Sequence, residues 1–247
     1  MTHPWNLLIL IGEIVLLSYF SGTVTRLLFT LFLLLFRARS IAISILSFIL
    51  FPGTIIHELA HLFTAEILGV RTGKLTLAPE FTRIAEENLQ TGSVAIADTD
   101  PLRRAIIGLA PFFTGLISII GLTYFLSLNE AVIRQLFQGI YPATPLFIGL
   151  IVAMYALFII SVSMFPSKVD LKGTFAVGVT IFLLLIAAFF IGIRISLTGK
   201  ALEQWNSGIT LLDTSLGFTL ALQIVVVLLL MILVAITRKV TKPAHIF

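Results

Sequence analysis

Residues 40–69 read SIAISILSFILFPGTIIHELAHLFTAEILG. Apart from Glu58, Glu66 and two histidines, this stretch carries no ionisable side chain. At its centre stands His57-Glu58-Leu59-Ala60-His61, the H-E-x-x-H spacing. On an α-helix, residues i and i+4 lie about 40° apart around the axis, so both imidazoles point at one ion from one face. Glu58 lies about 60° from His61 on the same side, placed to take a proton from water activated by the metal without itself binding the metal.

Moving outward, the whole chain shares this apolar character. Of 247 residues, 58% are hydrophobic and only 11% charged, against about 25% charged in a soluble domain. Mean hydropathy is +1.11. Several apolar runs exceed the roughly 20 residues that cross a bilayer as a helix. The fold class this implies is an all-α polytopic membrane protein with about six transmembrane helices. A net charge of +4 is too small and scattered for nucleic acid and is read instead as topology signal. No cysteine is present, which excludes disulfides and thiolate metal sites and leaves imidazole and carboxylate as ligands. His3 and His245 sit at the termini, so His57 and His61 are the pair that works in the membrane.

In chain order, Leu7–Phe20 and Val24–Phe36 are apolar runs joined by Ser21-Gly22, fitting one long helix or a hairpin of two. Pro52-Gly53 breaks the next run and predicts a motif helix over about Thr54–Leu68, stopped by Gly69. Residues 71–97 alternate polar and apolar around Lys74–Ala78 and, less cleanly, Ser93–Ala97, which suggests a short β-hairpin-like insert or a polar loop. Spans follow over Ala105–Leu126, Pro145–Met164, Thr174–Leu197 and Leu211–Ile236, with an amphipathic loop helix near 129–142. No internal repeat appears. The chain reads as one domain over 1–247, with an N-terminal membrane segment (1–39), a core (40–190), and a C-terminal span with a basic tail (191–247).

Placing the basic tail in the cytoplasm puts 70–104 and 165–173 on the same side. These two loops hold Arg71, Lys74, Arg83, Arg103, Arg104, Lys168 and Lys172, while the opposite loops hold Arg134 and Lys200. Arg37 and Arg39 are the exception. The expected location is therefore the cell membrane, multi-pass, with the site toward the cytoplasm. A catalytic zinc usually has three protein ligands. Glu66 lies about 140° around the helix from His61 and faces away, and Glu13 has no motif around it. Asp170 stands at a span end on the side of the motif, in the Pro- and Gly-flanked break Pro166–Gly173, and is the candidate third ligand; its alternative role is an N-cap for the next helix.

The H-E-L-A-H helix, the strand-like insert, the Gly108-Leu109-Ala110-Pro111 span and the Asp170 break together resemble the site-2 protease family of intramembrane zinc metalloproteases, over about residues 40–190. The resemblance implies Zn2+ held by His57, His61 and Asp170, Glu58 as the catalytic general base, and hydrolysis of a peptide bond in a membrane protein or peptide substrate within the lipid bilayer. The chain departs from the family pattern in having Leu171-Lys172-Gly173 after Asp170 instead of an immediate Gly, and no Asn in the Gly108–Pro111 span. Leu75, Thr76 and Leu77 are candidate substrate-binding residues, where an extended substrate pairs with the insert's edge. Two other classes compete: a metal-ion transporter, which would line several spans with polar residues where these offer few, and a non-catalytic membrane partner protein.

Overall fold

The computed structural model describes residues 4–76, 93–97, 99–138, 145–171, 174–192 and 198–241. In chain order the elements are α1 (Pro4–Phe36), α2 (Arg39–Ile67), β1 (Thr72–Thr76), β2 (Ser93–Ile96), α3 (Pro101–Leu128), α4 (Glu130–Phe137), α5 (Pro145–Ser163), α6 (Thr174–Phe190) and α7 (Lys200–Val240). Five of these helices, α1, α2, α3, α5 and α7, are long and apolar enough to cross a membrane. The expectation of about six is corrected to five among the described residues. The sixth candidate, α6, has 17 residues and rises about 26 Å, short of a hydrocarbon core of about 30 Å.

Of the two alternatives for the N-terminal segment, residues 4–36 form the single helix, Ser21 and Gly22 continuing it. Two boundaries differ from those expected. The motif helix does not begin after Pro52-Gly53 but runs unbroken from Arg39. In apolar surroundings an opened turn leaves several backbone groups without water, so helix is retained through a proline wherever neighbours occupy the freed carbonyls. Pro52 frees the Phe48 carbonyl, and beside it the Tyr155 hydroxyl donates to the Ile49 carbonyl at 2.8 Å, while Thr54 Oγ1 donates to Leu50 O at 3.2 Å. Residues 200–210, expected as loop, are the first turns of the 41-residue α7.

The end of α2 follows from Gly69. Its φ of +68° is open to glycine without the Cβ penalty. That turn lets Gly69 N bond to Glu66 O and Val70 N reach back to Ala65 O at 2.9 Å, closing a Schellman motif. Val70 then packs with Ala65 against Ile107 of α3. The chain continues into β1, which pairs antiparallel with β2 through Thr72↔Ile96, Leu75↔Val94 and Thr76↔Ser93, with an irregularity between Thr72 and Leu75. A hairpin as such is not described, since its connection over 77–92 lies outside the described residues. Leu75 and Thr76 fall in β1, and Leu77 lies outside.

Two cores hold the helices together. One gathers Leu17, Ile119, Leu126, Leu150, Leu157 and Leu216 from α1, α3, α5 and α7. The other gathers Val24, Leu46, Leu50, Ile159, Val162 and Val227 from α1, α2, α5 and α7. α1, α5 and α7 contribute to both, and α5 packs against helices in each, so the position of its end is fixed from several sides. The outer faces are apolar too: Phe48, Ile67, Phe175 and Phe190 are at least 80% exposed, as suits side chains bathed in lipid. No residue of α6 is buried.

Candidate metal centre

Two glycines decide how closely the backbone segments around the histidines approach. Gly53 lies one helical turn before His57, and a Cβ there would collide with Ile159 and the Ser163 hydroxyl. It therefore lets α2 lie directly against the end of α5. Gly108 stands where a Cβ would overlap the carbonyl oxygen of Asp170. Its partner is the non-helical segment that carries the carboxylate. Gly115 does the same against Met164.

With those approaches made, His57, His61 and Asp170 converge, and one ligand atom from each lies within 4.8 Å of the others. His61 Nε2 is 3.3 Å from Asp170 Oδ1, and His57 Nε2 is 3.6 Å from Asp170 Oδ2. Ligands about 2.0–2.1 Å from a tetrahedral zinc lie about 3.3 Å apart, so the spacing suits a metal of that size. Glu58 is 5% exposed and sits in the field of all three.

The protons on the imidazoles follow from their partners. His57 Nδ1 is 2.6 Å from Ser163 O, and His61 Nδ1 is 2.8 Å from Ile107 O. A carbonyl only accepts, so each Nδ1 carries the proton, and in the neutral ring each Nε2 is a bare lone pair. Both lone pairs face a carboxylate. That arrangement repels itself unless a proton or a metal ion joins it between the Nε2 atoms and the carboxylate. A divalent metal accepts from all three at once, so the donor set fits the metal that the sequence implies. The cluster can hold a metal ion.

Both carbonyl anchors are ones that the helices cannot use. Ile107 O would ordinarily accept from the amide four residues on, but that residue is Pro111, which has no N–H. Ser163 is the last residue of α5, and the amide four residues beyond it, Ser167 N, donates instead to Asp170 Oδ2 at 2.7 Å. This second bond also answers the alternative role for Asp170. Its carboxylate turns back to Ser167 and toward the histidines, and it makes no bond to an amide of α6 among the described residues. Burial alone would raise the Asp170 carboxyl, but hydrogen bonds from the imidazoles when Nε2 carries a proton, and from the Ser167 amide, outweigh it and hold the group well below the usual carboxylate range.

The role of Pro111 is open to measurement. Pro111→Ala restores an amide that competes with His61 Nδ1 for the Ile107 carbonyl. A carbonyl accepts two hydrogen bonds, so the anchor weakens without vanishing. The expected result is metal affinity lower by about tenfold with a melting temperature equal to or above wild type, because an interior proline costs a helix about 3 kcal/mol. Equilibrium metal titration beside thermal unfolding checks both signs, and unchanged affinity would remove Pro111 from the site.

Of the other carboxylates weighed from sequence, Glu66 is exposed on the far side of α2, and Glu13 lies against Gly217 of α7. The sequence reading missed the two backbone anchors. A signal for one existed in Pro111, whose position four residues after Ile107 marks a carbonyl left free. No family model, curated protein or solved structure matches this chain.

Proposed function

We propose that this protein is an intramembrane zinc metallopeptidase of site-2 protease type, which hydrolyses peptide bonds of membrane-associated substrates. The observation that carries the reading is the convergence of the two Nε2 atoms and one carboxylate, with the Glu58 carboxyl buried beside them. His57, His61 and Asp170 would hold the zinc. When bound, the metal supplies Lewis acidity, polarising a substrate carbonyl and lowering the pKa of water.

The chain's own residues do the rest. Ser163 O and Ile107 O fix the imidazole planes and keep the Nε2 lone pairs directed inward. The helix holds Glu58 one residue from His57 and three from His61, where its carboxylate receives a proton from water and returns it to the leaving amine. The lipid-facing surface around the bundle excludes bulk water, so the water that reacts is the one the site admits. The basic residues of the Asp170 loop and of the segment after α2 support a site opening toward the cytoplasm.

The test of the reading is metal per chain in purified wild type and His57→Ala. About one zinc per wild-type chain and a trace in the variant are expected. A folded wild type that retains no zinc after purification in its presence would overturn it.

A further inference from the structure

The end of α5 receives one polar contact from each of three other helices, on three successive residues. Gln223 of α7 donates through Nε2 to the Ser161 hydroxyl at 2.9 Å. Ser21 of α1 donates to the Val162 carbonyl at 2.6 Å. His57 of α2 donates to the Ser163 carbonyl at 2.6 Å. The Val162 carbonyl lies in the last turn of α5, which ends at Ser163, so no intrahelical amide reaches it.

Gln223 and Ser161 are 0% exposed, and Ser21 is 6% exposed. A buried amide in the apolar interior of a bundle is costly unless fully bonded, yet Gln223 Oε1 has no partner among the described residues. For holding α7 against α5, a leucine would serve better. The glutamine is better explained by what its other end fixes. Helical residues in sequence move as one body, so a bond that sets Ser161 or Val162 also sets Ser163, whose carbonyl orients the His57 ring.

We propose that Ser21 and Gln223 are positioning residues of the metal centre, acting through the last turn of α5 and the Ser163 carbonyl on His57. The proposal rests on the metal-binding reading above and adds the contributions of α1 and α7 to it. It concerns affinity and ligand geometry and not only the strength of the fold.

Cobalt titration of the full-length protein in detergent micelles, followed by visible absorption, separates these contributions, because the metal's d–d bands report ligand geometry. Wild type, Ser21→Ala, Ser21→Thr and Gln223→Leu are compared, with thermal unfolding of each. Ser21→Ala and Gln223→Leu are expected to bind Co2+ several-fold more weakly, up to about tenfold, with shifted bands. Ser21→Thr keeps the hydroxyl and is expected to restore both. Wild-type affinity and spectrum in Ser21→Ala overturn the proposal, and since that change removes only a hydroxyl oxygen it decides the matter if Gln223→Leu does not fold. Weaker binding with an unshifted spectrum, or with no rescue by threonine, also overturns it. Failure of folded wild type to bind Co2+ overturns the metal reading and this proposal together.

Discussion

Glu58→Gln is expected to reduce peptide cleavage by about 10²- to 10⁴-fold, the usual share of a positioned general base, while zinc per chain stays at its wild-type level. The reasoning is geometric and chemical. The amide has nearly the same shape as the carboxylate, so packing around this 5%-exposed side chain is preserved. Glu58 is not among the converging ligand atoms, so the metal should remain. What is lost is the ability to take and return a proton near neutral pH. A detergent-solubilised assay on a fluorogenic peptide with an apolar segment, beside metal analysis of the same preparation, reads both quantities. Cleavage at the wild-type rate would remove Glu58 from the chemistry, and loss of the metal would make it a ligand.

The second large effect belongs to Asp170. Asp170→Asn keeps an oxygen that accepts from the Ser167 amide, so the turn that seats residue 170 beneath Gly108 survives. It removes the negative charge, leaving two neutral imidazoles to hold a dication in a poorly solvating environment. Losing an outer hydrogen-bond partner of a ligand costs about 10- to 100-fold in metal affinity, and losing a charged ligand costs more. Zinc is expected to fall from about one per chain to a trace after dialysis, with cleavage lost in parallel and thermal stability of the metal-free protein unchanged. Retention of full zinc would show that Asp170 serves only the turn.

How much of this was legible beforehand depends on which kind of atom each feature uses. The histidine pair and Glu58 were readable because helical periodicity places side chains at i and i+4 on one face. Asp170 was readable because a carboxylate at the end of an apolar span is costly unless used. The unbroken course of α2 through Pro52 was not, since local rules kink or stop a helix there and the contacts that steady this turn, such as that of the Tyr155 hydroxyl with the Ile49 carbonyl, come from far along the chain. Gly108 was noticed for its size, but its partner, the backbone at Asp170, lies far along the chain and leaves no local trace. The start of α7 at Lys200 was missed because its first turns are polar enough to read as loop. The short β1–β2 pair shows the limit of alternation as a guide, which marks segments and not their connection.

The imidazole anchors carry a consequence for genetics. Any residue at 107 or 163 presents the same carbonyl, so exchanging the side chains of Ile107 and Ser163 leaves the anchors in place. In a saturation mutagenesis screen scored on metal binding, replacements that preserve the packing of fully buried Ile107 against Ala65 and Val70, and of Ser163 against Gly53, would leave the site intact. Sensitivity would instead gather at His57, Glu58, His61 and Asp170, and then at residues valued for what they lack: Gly53 and Gly108, which have no Cβ, and Pro111, which has no amide hydrogen. The support of this site is inherited through missing atoms.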